Sequence, residues 1–234
     1  MSKLCLSRKR IVLVSETVRK TSRSKRQTLA ISLFIIAACL GLGIYAFLGG
    51  SGNVLTAQAG KACTGTLERA AKLADLAKGD MAAFMPAERV IDFKELAFKD
   101  GTGADKTLAD WQGKAIFVNL WATWCGPCRH EMPSINAMSK TFSDEGFDVV
   151  ALSLDQGSQG KPKAFLQEIN ADSLNFYQDN TNKVFLELRE EDMLTGLPGS
   201  YLLDKDGCML GALLGPAEWM SPDAQNLIKA TKEL

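Results

Sequence analysis

"FVNLWATWCGPCRHEMP", residues 117–133, joins an apolar run to a run with helical spacing and sets two cysteines, Cys125 and Cys128, at the junction. Pro127 has a fixed φ and no N–H, which suits the first turn of a helix. Cys125 then stands at the helix N-terminus, where unpaired backbone N–H groups and the positive end of the dipole favour a thiolate. Such a setting lowers a cysteine pKa from about 8.5 toward neutral or below, so Cys125 is expected to be a nucleophile near pH 7. Cys128, three residues on, is within reach of a sulfur bound to Cys125 and less exposed, which makes it the resolving thiol. Two other uses of the pair fit poorly. A four-ligand zinc site needs a second closely spaced Cys or His pair, and the remaining cysteines are isolated. A purely structural disulfide across two residues closes too small a loop to stabilise much.

Working outward, "KAIFVNLWA" (114–122) reads as a strand buried on both faces. The following run, Pro127–Phe142, reads as a helix with Met132, Ile135, Met138 and Phe142 on one side and Pro133 expected to kink it. "ELAFKDGTGADKTL" resembles two short strands around a Gly/Asp turn, "FDVVALSLD" (147–155) is another buried strand, and Lys161–Asn170 and Asn182–Leu188 read as helices. Residues 200–215 form a hairpin pattern, and Pro222–Leu234 closes with a helix whose Ala224, Leu227, Ile228 and Thr231 share a face. Strands alternating with helices argue for an α/β fold with a central mixed sheet flanked by helices.

The first third is different. Nine of the 27 basic side chains and one of the 27 acids lie in residues 1–27, so the other 207 residues carry 18 against 26, a net of −8. Nothing in that acidic remainder suggests nucleic acid. Thr28–Leu48 is a charge-free, largely apolar run of 21 residues, long enough to cross the roughly 30 Å hydrocarbon core of a bilayer. Basic residues before it predict a cytoplasmic N-terminus and a body outside, periplasmic in a Gram-negative cell. "AQA" at 57–59 resembles a cleavage site, but the apolar run exceeds the ~7–15 residues of a signal core and the site lies far beyond it. "IAAC" at 36–39 resembles a lipoprotein box, yet Cys39 is followed by more apolar residues and reads as a small hydrophobe in the span. The expected organisation is a basic tail (1–27), an uncleaved single-pass inner-membrane anchor (28–48), a flexible tether (49–65), a helical extension (66–86) and a main domain (87–234). Within the extension, Thr66–Phe84 reads as one amphipathic helix.

The run from Ala109 to Pro133, with residues 147–155, "TGLPGSYLLDKDGC" and "GPAEW" (215–219), resembles the thioredoxin superfamily and, within it, the membrane-anchored TlpA branch. The resemblance implies a thioredoxin-like fold over roughly residues 60–234, with Cys125 as nucleophile, Cys128 as resolving cysteine and Pro198 as a cis-proline facing them. Trp124, Gly126, Pro127, Leu197 and Pro198 are then the surface that meets substrate. It implies a protein-disulfide reductase with no cofactor and no metal, recharged by a membrane electron donor of the DsbD or CcdA type. Its implied partners are periplasmic disulfide proteins, among them the copper subunit of cytochrome oxidase and a Sco-like chaperone. The Gly-Pro insert resembles that of reducing thioredoxins, which work near about −270 mV. Two residues depart from the pattern. Asn119 stands where many thioredoxins bury an acid and cannot take a proton from Cys128, so resolution needs water or another base. Gly199 follows Pro198 where many relatives carry a β-branched or hydroxyl residue. The rival within the class is a cytochrome c maturation reductase resembling ResA and CcmG, whose members usually carry a Glu-containing insert near the site and an acid after the cis-proline.

Four cysteines lie beyond the span, so pairing of Cys125 with Cys128 leaves Cys63 and Cys208, as a structural disulfide or as two free buried thiols. The TlpA resemblance implies the disulfide. His130, the only histidine, invites a copper-carrier reading with Cys125 and Cys128. Sco-type chaperones, however, space their cysteines by three residues and bring a distant histidine, so His130 reads as a solvated helix residue. Trp121 is expected in the core and Trp124 on the surface, while Arg129, Glu131 and "REED" (189–192) read as solvated faces. A peroxidase of the same fold lacks its usual Thr-x-x-Cys site.

Overall fold

The computed structural model describes residues 63–234. The basic tail, the apolar span with Cys39, and the tether up to residue 62 lie outside the described residues. Among the described residues no helix is long and apolar enough to cross a membrane.

Among the described residues, eight strands make one sheet. They are β1 Met85–Pro86, β2 Ala97–Asp100, β3 Asp105–Thr107, β4 Ala115–Trp121, β5 Phe147–Ser153, β6 Tyr177–Gln178, β7 Gly199–Leu203 and β8 Met209–Leu214, in the spatial order β1-β8-β7-β4-β5-β6-β2-β3. The β4–β5 and β5–β6 pairs are parallel and the rest antiparallel. Every residue of β4 is buried, as its apolar run demands for a central strand. Side chains alternate across it. Phe117 and Trp121 join one core with Met132, Ile135, Met138, Leu227 and Ile228. Ile116, Val118 and Leu120 join the other with Phe93, Tyr201, Val184 and Leu188.

Among the described residues the α-helices are α1 Thr66–Leu73, α2 Gly126–Phe142, α3 Gly160–Glu168, α4 Lys183–Glu190 and α5 Pro222–Lys232. In α2 the stripe Met132, Ile135, Met138 and Phe142 is buried, and the helix runs on through Pro133 as one element. Ser221 caps α5, its hydroxyl accepting the Ala224 N–H at 3.2 Å, with Pro222 in the first turn. The extension is shorter than one helix over Thr66–Phe84. α1 stops at Leu73, and single 3₁₀ turns follow at Ala74–Leu76 and Gly79–Met81. Gly79 sits at φ +52°, a left-handed conformation that a continuous helix does not contain. Leu73, Met81 and Phe84 nevertheless enter the first core, so the extension is built into the domain.

Cys63 and Cys208 are joined by a disulfide with Cα atoms 5.6 Å apart. Beside it the Asp204 carboxylate accepts the Thr66 hydroxyl at 3.1 Å and Arg69 Nη2 at 2.5 Å, fastening α1 to the β7–β8 turn. "REED" is not plain surface. Glu191 is buried and its carboxylate accepts Arg89 Nη1 at 3.0 Å, since the turn after α4 folds that side chain inward.

Candidate active site

β4 ends at Trp121, and a tight turn follows in which the Cys125 N–H donates to the Ala122 carbonyl at 3.1 Å. Cys125 is the N-cap of α2 and its sulfur accepts the Cys128 N–H at 3.2 Å. Cys125 and Cys128 are joined by a disulfide, their Cα atoms 5.3 Å apart. The pair is unequal: Cys125 is 6% exposed and Cys128 0%. When the disulfide is reduced, a thiolate on Cys125 meets the amides of the first helical turn, which favour negative charge there.

The same sheet end carries the other expected residues. Gly199 pairs with Leu120, so Pro198 stands level with Trp121 beside the turn before Cys125. The Leu197–Pro198 peptide bond is cis, and the Pro198 carbonyl accepts the Gly215 N–H at 3.0 Å. Leu197 is partly buried and packs against both cores. Trp124 is 65% exposed, and Gly126 and Pro127 are exposed beside it. His130 lies on the open side of α2. Arg129 is also exposed, with its guanidinium 5.0 Å above the Phe165 ring.

Glu131 overturns its reading as a solvated residue. It is 4% exposed. Its Oε1 accepts Asn119 Nδ2 at 2.8 Å, and its Oε2 accepts the Ala217 N–H at 3.1 Å and Trp219 Nε1 at 3.3 Å. Asn119 Nδ2 also donates to the Ser200 hydroxyl at 3.0 Å, across the β4–β7 register, while Asn119 Oδ1 has no partner among the described residues. Alternation along β4 puts Asn119 on the face that α2 covers, and Glu131 comes down to meet it. Burial outweighs the three donors and pushes the Glu131 carboxyl up to about 7. A signal was present in the sequence: Cys128, Glu131, Ile135 and Met138 recur at helical spacing, so Glu131 shares the buried stripe. Ser200, Trp219 and Asp155, whose carboxylate holds Thr123, carried no such signal because their roles depend on pairing across distant elements.

A disulfide at a helix N-terminus, a cis-proline at the same sheet end and a buried acid one turn along the helix have the geometry that thiol–disulfide exchange needs. A family profile described as "AhpC/TSA family" matches residues 86–210, more than half of the chain. The chain belongs to the AhpC/TSA family. Among curated relatives of this kind is the thiol-disulfide oxidoreductase ResA of Bacillus thuringiensis (strain Al Hakam), 30% identical over 122 residues. That match covers 50% of this chain and 64% of the relative, so it spans less than two thirds of the relative's length. ResA of Bacillus subtilis (strain 168) is 28% identical over 141 residues, covering 59% of this chain and 74% of that protein. A solved structure of a thiol:disulfide interchange protein DsbE from Chlorobium tepidum is 28% identical, with a TM-score of 0.52. It covers 60% of this chain and 95% of that one, and the fold is accordingly thioredoxin-like.

Proposed function

We propose that this protein is a membrane-anchored thiol:disulfide oxidoreductase that reduces disulfides in partner proteins on the periplasmic face of the inner membrane. One observation carries the reading: Cys125 caps α2 with its sulfur on the Cys128 amide, at the sheet end where Pro198 is cis. The Cys125 thiolate attacks one sulfur of a substrate disulfide, forming a mixed disulfide and expelling the other substrate sulfur as a thiolate. Cys128 loses its proton and attacks Cys125 Sγ, which releases the second substrate thiol and leaves Cys125–Cys128 oxidised. Two electrons and two protons pass to the substrate. Asn119 cannot serve as the base for Cys128, and Glu131, buried one helical turn away with its pKa near 7, supplies that role. Trp124, Gly126 and Pro127, exposed, form the docking surface with the half-buried Leu197, while Pro198 is buried beside them with its carbonyl taken by Gly215.

The apolar Thr28–Leu48 run and the basic residues before it support the anchor and its orientation. In an oxidising compartment a reductant needs recharging, which calls for a membrane electron donor of the DsbD or CcdA type. The TlpA resemblance favours substrates in cytochrome oxidase copper-site assembly. A second reading, thiol reduction in cytochrome c maturation, is favoured by the ResA relatives. Against it stands Gly199 in place of the acid usual after the cis-proline; a Cβ there would lie 2.5 Å from Leu194 Cδ1, so a side chain at this position requires Leu194 to shift.

The wild-type full-length protein in detergent is expected to reduce insulin disulfides, and Cys125→Ser to abolish that reduction. In cells, Cys128→Ser is expected to accumulate mixed disulfides with copper-site assembly proteins. Recovery of cytochrome c maturation proteins alone would select the second reading. Stoichiometric Cu(I) binding without insulin reduction would replace both with a metal carrier.

A further inference from the structure

The turn that delivers Cys125 is gripped by a carboxylate that the exchange chemistry does not itself use. Asp155, 5% exposed, lies just beyond β5. Its Oδ2 accepts the Thr123 N–H at 2.8 Å and the Ser153 hydroxyl at 3.0 Å, and its Oδ1 accepts the Thr123 hydroxyl at 2.5 Å. Thr123 is the second residue of the Ala122–Cys125 turn, so both polar groups that the turn turns inward end on one side chain.

The mount is rigid. The Asp155 N–H donates to the Ser153 hydroxyl at 3.2 Å, and the Asp155 carbonyl accepts Gln178 Nε2 at 2.6 Å. Leu154 N–H donates to the Trp121 carbonyl at 2.8 Å, extending the β4–β5 pairing to the start of the turn. Asp155 therefore ties β5 and β6 to the loop before the nucleophile. Loss of a buried acceptor leaves the Thr123 N–H without a partner inside the protein, which a turn relieves by moving.

We propose that Asp155 is a positioning residue for Cys125: by gripping Thr123 it fixes the turn and hence the sulfur's place over the amides that open α2. The inference rests on the reading of Cys125 as nucleophile. It assigns the effect to shape and not to charge. Asparagine can reproduce the grip, its Oδ1 accepting the Thr123 N–H and the Ser153 hydroxyl while its Nδ2 donates to the Thr123 hydroxyl oxygen.

The test uses the full-length protein in detergent, with insulin reduction and redox equilibrium against glutathione as readouts. Asp155→Ala is expected to slow insulin reduction about tenfold or more, since small misplacements of reacting groups cost up to about a hundredfold. With the thiolate less well stabilised, the equilibrium should move about tenfold toward the disulfide, equal to about 30 mV more negative for a two-electron couple. Asp155→Asn should restore both to within about threefold of wild type. Wild-type behaviour in Asp155→Ala, or equal impairment in Asp155→Asn, would overturn the proposal. Should Asp155→Ala fail to fold, Thr123→Val removes only the hydroxyl contact. It is expected to slow reduction about threefold, with Thr123→Ser recovering it, and an unchanged rate in Thr123→Val would equally sink the idea. A wild-type protein unable to reduce insulin would instead remove the functional reading beneath it.

Discussion

Glu131 is the residue whose chemistry depends most on where the fold puts it. Its carboxyl ordinarily titrates at 4.5 and is raised to about 7 by burial. Between those values the folded chain holds a proton that the unfolded chain has lost, so stability falls as pH rises through that window. The loss is on the order of 3 kcal/mol, complete above about pH 7 and absent below about pH 4.5. Urea unfolding of wild type and Glu131→Gln at pH 4.5 and pH 8 measures it. Wild type should lose stability relative to the variant on going to pH 8, and parallel behaviour would show that Glu131 is ionised throughout. The same variant should lower turnover of the resolving step about a hundredfold or more at neutral pH, the low end of what a positioned base contributes. It should also flatten the pH–rate profile near 7, as single-turnover release from the mixed disulfide would report.

At the level of elements, the two-residue strand β1 shows how the extension is joined to the sheet. Met85 pairs with Ala212 and Pro86 with Gly211. A Cβ at Gly211 would lie 2.3 Å from Phe84 Cζ and 2.7 Å from the Met85 carbonyl oxygen, so only glycine lets the extension approach. Gly211→Val should therefore push β1 off β8 and cost about 1–3 kcal/mol, as overpacking of a filled core does. Chemical denaturation would show it as a lower midpoint. Insulin reduction per folded molecule should stay within about twofold, because Gly211 sits three residues down β8 from Leu214, which pairs with Gly199 at the active end. A matching fall in both would mean that the extension shapes the site.

At the scale of the whole molecule, the two disulfides among the described residues occupy opposite ends of the sheet. Cys208 precedes β8, whose far end at Leu214 pairs with Gly199 beside Pro198, roughly 20 Å away at strand rise. The Cys63–Cys208 bond spans 145 residues. A chain-entropy treatment assigns such a closure at most about 5 kcal/mol. Replacing both cysteines by serine should lower the unfolding midpoint while leaving the Cys125–Cys128 exchange rate within about twofold. The Arg69–Asp204 pair and the Thr66 hydroxyl still hold α1 in that variant. A collapse of activity at full folding would make the distant bond part of the redox site.

The order of the longer strands and helices, the central position of β4 and the buried stripe of α2 were legible because they follow from local periodicity, whereas β1 and β6, two residues each, are too short to show any. An unbroken apolar run has to be covered on both faces, and residues three and four apart on a helix have to share a side. The thiol pair at the start of α2 was legible for the same reason, since Pro127 marks a first turn. Glu131, read as solvated, and Thr66–Phe84, read as one helix, went otherwise. A carboxylate is buried only when donors converge on it, and here they come from Asn119, Ala217 and Trp219, far apart in sequence. Likewise Asp155 and Thr123 are 32 positions apart and meet because β4 and β5 run parallel. Local spacing determines which face a side chain takes, whereas only the folded sheet decides which distant polar groups complete its hydrogen bonds.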